Sequence, residues 1–394
     1  MNNTSCHVFG VDPRSERHLI TYNQDVLIVI SAFLSLIAAF TVVSNMVVII
    51  ALVRPRHQER TITTYLVSSM AFSDAVLGAF ILPLGIYEIL NNGRWDIGRE
   101  MCDIRVTTDV VLSTVSIFHV TNMAIERYLA VCKPWVYRTL SMKTTYLMLG
   151  MSWLVPLSIV ALPVLCNWHT MGIEALASCL ELGDGISMCV LMVNVPFQLA
   201  MASMSFYGPL IIIIIIYSLI FIEARRSEKY HSSSSVTLSG THTHNTDIDN
   251  QQKEALGISR ENSSGLSVLE GPEGRLKRHN YEYKETKLKK SKHRGKNVKT
   301  AKAIGRLILC FAICWMPFSI WSVVTPFVSY SMPLALHLCV TWMGYINSAI
   351  NPVLYCSQKT IKSAIWNLLC PKVELERRRK QTRFDYVHQL TSGT

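Results

Sequence analysis

Residues 209–222 read PLIIIIIIYSLIFI, running from Pro209 to Ile222. An isoleucine-rich run of this kind would suit a buried strand, but its long apolar flanks favour a helix in lipid. A helix that crosses the hydrocarbon needs roughly 20 mostly apolar residues at 1.5 Å each. Working outward, six other stretches meet that length. The expected spans are 26–53, 62–90, 101–126, 145–165, 188–222, 301–327 and 333–356, each bounded by charged or turn-forming residues. The fold expected is an all-α membrane protein, a seven-transmembrane helix bundle. Composition agrees: of 394 residues, 50% are hydrophobic and 16% charged, where soluble domains carry roughly 25% charge.

Lysine and arginine set the orientation. With the N-terminus outside, the outer segments hold only Arg14, Arg17, Arg94, Arg99 and Arg105 of the 38 basic residues. The short loops carrying Arg54, Arg56 and Arg60, and Lys133, Arg138 and Lys143, then fall inside. The chain is expected in the plasma membrane, multi-pass, with an extracellular N-terminus and a cytoplasmic C-terminus. The first 25 residues lack an apolar core, so the first helix is expected to serve as its own signal. Asn2 and Asn3 each open a glycosylation sequon. The net charge of +11 reads as topology and as affinity for anionic inner-leaflet lipid. A nucleic-acid footprint is the rival reading of that charge, and the apolar spans argue against it.

Between the spans, organisation follows composition. Residues 1–25 form the extracellular N-terminus and 26–356 the helical domain. A cytoplasmic loop, 223–300, interrupts that domain; it is rich in Ser, Thr, Asn, Lys and Glu and is expected to be largely disordered. Its basic end, Lys284 to Lys302, is expected to run helically into the sixth span. His242 and His244 in this tract read as solvated polar residues rather than metal ligands. Residues 357–370 carry Ile361, Ala364, Ile365, Leu368 and Leu369 at helical spacing, the pattern of a short amphipathic membrane-surface helix. Cys370 closes it and offers a palmitoylation site. Residues 371–394 read as a solvated tail. The 11 cysteines show no metal-ligand spacing. A disulfide between Cys102 and Cys189 is expected in the oxidising compartment, with Cys179 as the competitor for Cys102.

Ionisable residues inside a membrane are functional candidates. Asp74 lies mid-way along the second span. Asp109 lies in the outer half of the third, and Glu126-Arg127-Tyr128 ends that same helix, Arg127 about 27 Å from Asp109. No Lys or Arg occurs in the outer halves of the other spans to neutralise Asp109. A diffusible cation is its natural partner. Pro83, Pro156, Pro163, Pro196, Pro209, Pro317 and Pro352 recur in or near spans, where proline frees a carbonyl and permits a bend.

Together these residues resemble the rhodopsin-like receptor family, over about 26–370. Asn45, Asp74, Trp153, Pro209 and Pro317 are similar to its helix landmarks. Glu126-Arg127-Tyr128 resembles its inner Arg motif and Asn351-Pro352-Val353-Leu354-Tyr355 its Asn-Pro-x-x-Tyr motif. Ser205-Phe206-Tyr207-Gly208-Pro209 and Trp342-Met343-Gly344-Tyr345-Ile346-Asn347-Ser348 resemble the aminergic branch. Ser116-Ile117-Phe118-His119, Met192-Val193-Asn194 and Pro326-Phe327 most resemble the serotonin receptors, the type 4 group first. Histamine and trace-amine receptors share much of this.

The resemblance implies a biogenic-amine receptor, best matched to a serotonin-like ligand, that activates a heterotrimeric G protein of the stimulatory, cAMP class. Asp109 would pair with the amine, supported by Tyr345. Ser113, Thr114 and Ser205 would bond its ring substituents, and Trp315, Phe318 and Trp342 would form its aromatic surroundings. Ile117, Pro209 and Phe311 resemble the family's packing switch. Glu126, Arg127, Tyr217, Asn351, Pro352 and Tyr355 would rearrange as the sixth helix swings outward. Asp74, Ser116, Asn347 and Asn351 resemble its sodium pocket; no other cofactor is expected. Arrestin, receptor kinases and membrane lipid are further expected partners; nucleic acid is not. Two departures stand out: Ser319 replaces an aromatic, and Asn297 stands where a Glu usually faces the motif Arg. Rival classes fare worse. A transporter predicts internal repeats, an opsin needs a Lys in the seventh helix, and an enzyme needs a nucleophile–base or metal constellation. None appears. A receptor for a non-amine ligand is the alternative that remains.

Overall fold

The computed structural model describes residues 23–54, 61–174, 189, 191, 193–239, 302, 304–324 and 334–370. The described residues contain no strand. The spans are Gln24–Val53, Ile62–Leu90, Arg99–Cys132, Met142–Leu165, Val195–Arg226 and Ile304–Val324, each long and apolar enough to cross a membrane. A seventh helix, Leu334–Tyr355, completes the bundle. It is more polar because Asn347, Ser348 and Asn351 are all buried in it, at 1%, 3% and 0% exposure. Those groups face other helices rather than lipid, where an unpaired amide would be costly. A short helix, Pro134–Thr139, follows the third span. The amphipathic helix expected after the seventh span is present as Lys359–Leu369, with Cys370 as its C-cap.

Surface chemistry inverts that of a soluble protein. Among residues 211–216 only Ile213 is buried, while Ile211, Ile212, Ile214 and Ile215 are exposed. Val29, Phe33, Leu36, Phe40 and Val43 form an exposed stripe at helical spacing on the first helix. Such stripes suit lipid contact. The third helix packs against the second, fourth and fifth, and the first lies beside the second and seventh. The core joins Ile117, Met123, Phe206, Ile213, Leu307, Phe311 and Tyr355 across these helices.

Proline explains where the helices widen. One loose turn occupies Leu77–Ile81, another Leu157–Ala161 and a third Ser203–Tyr207. Each ends two residues before a proline: Pro83, Pro163 and Pro209. Proline has no N–H to give the carbonyl one turn back and its ring crowds that carbonyl, so the turn opens.

Several boundaries differ from the sequence expectation. The fifth helix starts at Val195, not at 188, because the Asn194 side chain caps it by accepting from the Phe197 N–H. It also continues through Ser239, so the first part of the 223–300 segment is helical. The third helix runs on to Cys132. Asn2, Asn3, Cys179, His242, His244, Asn297, Met192, Pro326, Phe327 and the 371–394 tail lie outside the described residues.

Candidate functional site

One end of the bundle is fixed by the disulfide Cys102–Cys189, with Cα atoms 5.4 Å apart. It ties the segment before the fifth helix to the third. Trp95, 1% exposed, packs with both cysteines. Beside them Arg105 and Glu88 form a buried ion pair at 2.8 Å. The sequence reading passed over this pair. Both residues lie near helix ends, where charged side chains usually reach water.

One turn further in, Asp109 is half-buried. Its Oδ2 accepts the Tyr345 hydroxyl at 2.6 Å, and its Oδ1 has no hydrogen-bond partner among the described residues. Tyr345 is 2% exposed and meets Trp342 edge-on at 5.4 Å. Ser113 lies beside Asp109, and Ser205 Oγ and Trp315 Nε1 are buried without partners among the described residues. Buried polar atoms are normally paired, so these point to groups that a ligand or water satisfies. The Thr114 hydroxyl donates to the Val110 carbonyl at 2.7 Å and keeps its lone pairs to accept a bond. Helix geometry gives Thr a carbonyl one turn back, and that leaves Thr114 no hydroxyl proton for a ligand.

The aromatic side is a continuous stack. Trp315 meets Phe318 edge-on at 5.9 Å and Phe311 face-on at 6.2 Å, and Phe311 stacks on Phe206 at 6.3 Å. Trp315 lies directly on Gly344, where a Cβ would fall 3.0 Å from its ring. Ile117 and Phe311 are buried at 1% and 2%. Ser319, which replaces an aromatic, is 5% exposed, and its hydroxyl is turned back onto the Trp315 and Met316 carbonyls.

Deeper in the bundle, Asp74 is 1% exposed and gathers three donors: Ser348 at 2.8 Å, Asn351 at 2.9 Å and Ser116 at 3.3 Å. Asn347 is also buried, but among the described residues it is Ser348, one residue on, that donates to Asp74, and Ser348 was not anticipated. Ser348 and Asn351, three apart on the seventh helix, reach Asp74 together. The Oδ1 atoms of Asn45, Asn347 and Asn351 lack partners among the described residues. A carboxylate with spare amide and hydroxyl oxygens fits a hard cation.

At the opposite end, Arg127 pairs with its neighbour Glu126. Adjacent helical residues do not normally face each other, but both reach toward Thr63 of the second helix. Thr63 donates to Glu126 Oε2 at 3.1 Å and receives from Arg127 Nη2 at 2.6 Å. Tyr137, on the short loop helix, donates to Glu126 Oε1 at 2.8 Å. Burial, then the Glu126 charge, pushes the Tyr137 phenol up to about 12. Thr63 and Tyr137 escaped the sequence reading, since neutral hydroxyls leave no signal of cost. Tyr217 lies against Gly305 of the sixth helix, and Tyr355 is fully buried.

A seven-helix bundle with a buried acid near one end and an Arg–Glu lock at the other is the build of a membrane signalling receptor. Residues 44–355 match the family described as the 7 transmembrane receptor (rhodopsin family), and the chain belongs to that family of receptors, which are not enzymes. It is 29% identical to 5-hydroxytryptamine receptor 4 of Cavia porcellus and of Homo sapiens, over 89% of this chain and 82% of each of theirs. It is 30% identical to octopamine receptor beta-2R of Chilo suppressalis, over 82% of this chain and 74% of that one.

Proposed function

We propose that this receptor binds a biogenic amine, serotonin-like in class, and couples it to a heterotrimeric G protein of the stimulatory, cAMP class. One observation carries the reading: the Asp109 carboxyl group has one oxygen held by Tyr345 and the other without a partner among the described residues. A protonated amine supplies both the missing charge and the missing donor. Trp315 and Phe318 offer ring faces and edges, where cation–π contacts contribute about 0.5–2 kcal/mol. Ser113 and Ser205 are placed on the third and fifth helices for a polar ring substituent. The named relatives support an amine, and their spread from serotonin to octopamine types leaves the choice to experiment.

The disulfide end faces outside, with the N-terminus and the Asn2 and Asn3 sequons, and the Arg127 end faces the cytoplasm. G protein, arrestin and receptor kinases act there. Asp74, Ser116, Ser348 and Asn351 hold a sodium ion that favours the resting receptor. Cys370, at the end of the surface helix, carries a palmitoyl chain into the inner leaflet.

Asp109→Asn tests the reading. It is nearly isosteric but removes the charge, and losing one partner of a buried charged pair costs about 3–5 kcal/mol. A second-messenger screen against a panel of biogenic amines should show a response in wild type that vanishes in the variant at equal surface expression. Wild-type potency in a well-expressed Asp109→Asn receptor refutes the reading, and silence of the wild type to every amine favours a non-amine ligand.

A further inference from the structure

Arg105 and Asp109 stand four residues apart on the third helix. They share one face, about 6 Å apart along the axis. Opposite charges in that arrangement ordinarily pair. Here they do not. Arg105 Nη1 donates to Glu88 Oε2 at 2.8 Å, while Asp109 takes the Tyr345 hydroxyl at 2.6 Å. Both keep spare capacity, since Arg105 Nε and Asp109 Oδ1 have no partner among the described residues.

Arg105 is held away from Asp109 by its surroundings. Glu88 is itself anchored, because its Oε1 accepts the Cys189 N–H at 3.0 Å and Cys189 is bonded to Cys102 on the helix that carries Arg105. The guanidinium lies over the Trp95 ring, 5.4 Å from its centre. Trp95 is locked by its own bond to the Gly98 carbonyl at 2.8 Å. Gly85, three residues before Glu88, makes the room: a Cβ there would sit 3.3 Å from Arg105 Nη2.

We propose that Glu88 is a positioning residue for amine recognition, holding Arg105 off Asp109 so that the carboxylate stays open to the ligand's ammonium. The proposal rests on the amine reading of Asp109. Glu88 and Arg105 cancel each other, which leaves Asp109 as the uncompensated charge of the three. Without the Glu88 charge, Arg105 becomes a tethered competitor for Asp109. A tethered group acts at high effective concentration, and it would occupy the place the ammonium needs. An opposite charge within about 4–6 Å shifts a carboxylate's ionic equilibria by roughly one to three powers of ten.

The test compares Glu88→Gln, Arg105→Gln and the double variant, using serotonin, octopamine and tyramine as probes, at matched surface expression. Glu88→Gln should lose roughly tenfold or more in potency, although both Glu88 oxygens are committed to Arg105 and the Cys189 N–H. Adding Arg105→Gln should bring potency back toward wild type, because the competitor is gone. A merely structural role for Glu88 predicts no such rescue. Wild-type potency in Glu88→Gln, or a double variant no better than Glu88→Gln, overturns the proposal. Should Glu88→Gln not reach the surface, Arg105→Gln alone decides: potency that holds or rises supports the proposal, and a loss of roughly tenfold overturns it. Asp109→Asn run in parallel separates the two claims. If that variant still responds, the amine reading has failed, and the proposal falls with it.

Discussion

Tyr137→Phe should raise signalling in the absence of ligand. The phenol donates to Glu126 Oε1 at 2.8 Å, and Glu126 is the partner of Arg127. On the proposed reading, activation frees that arginine, so every contact that fixes Glu126 favours the resting state. A hydrogen bond to a charged group contributes about 1.5–3 kcal/mol. Tyr137 is only half-buried, and Glu126 keeps Arg127 and Thr63 when the phenol is lost, so no buried charge is stranded. A figure at or just below the lower end, about 1–1.5 kcal/mol, is appropriate, and about 1.4 kcal/mol is tenfold in a population. An active state populated at about 1% would rise to roughly 5–10%. The assay is basal second messenger against surface expression, with Glu126→Gln as the stronger positive control. The effect should be flat across neutral pH. Burial raises the Tyr137 phenol to about 12. Its contribution is therefore complete below the ordinary tyrosine value near 10 and fades only as pH climbs through the raised one. Basal signalling equal to wild type, beside a raised Glu126→Gln, would show that the loop helix does not restrain the lock.

Other perturbations read other parts of the molecule. Gly344→Ala would place a Cβ 3.0 Å from the Trp315 ring; overpacking of about 1–3 kcal/mol should alter basal activity and lower thermal stability, and an unchanged receptor on both counts would show that Trp315 moves aside freely. Asp74→Asn should abolish any difference in agonist affinity between sodium and choline buffers, and a sodium effect surviving in the variant would remove Asp74 from the ion's site. His169 is 5% exposed, and burial lowers its imidazole's proton affinity. Its stabilising effect is present above the ordinary value of 6.5 and is lost as pH falls below it. Thermal stability should therefore drop between pH 7 and 5 more in wild type than in His169→Gln, and parallel profiles would count against this.

How much of this was legible in the sequence follows the cost of each group in lipid. Asp74, Asp109 and Arg127 announce themselves because a charge among apolar residues is expensive, and the structure places each inside the bundle. Their neutral partners announce nothing: Ser348, Thr63 and Tyr137 are ordinary residues until a second helix brings an acid to them. Glu88 and Arg105 were passed over for the opposite reason. They carry charge, but at a depth where a long side chain could reach water, and only the fold reveals that they are buried together. The start of the fifth helix was readable. Asn194-Val195-Pro196 is a capping residue followed by proline in the first turn, yet the apolar run before it drew the boundary too early. The prolines told where helices would be perturbed, but not that the turn before each would widen.

The seventh helix explains how an event at Asp109 can reach the other end. Tyr345, Ser348 and Asn351 are spaced by three, so they lie along one face of a rigid helix. The first holds Asp109, and the next two hold Asp74. Ser116, which also reaches Asp74, sits two turns from Asp109 on the third helix. The two helices are thus cross-linked at two depths by carboxylates. On the proposed amine reading, a ligand that competes with Tyr345 for Asp109, or tightens that contact, would change the relative position of the third and seventh helices that the Asp74 cluster prefers. It can shift signalling only if that change costs less in the active arrangement than in the resting one. Tyr345→Phe separates the routes. If the link matters, agonist affinity and the sodium effect should weaken together, whereas affinity alone would fall if Tyr345 merely positions the acid.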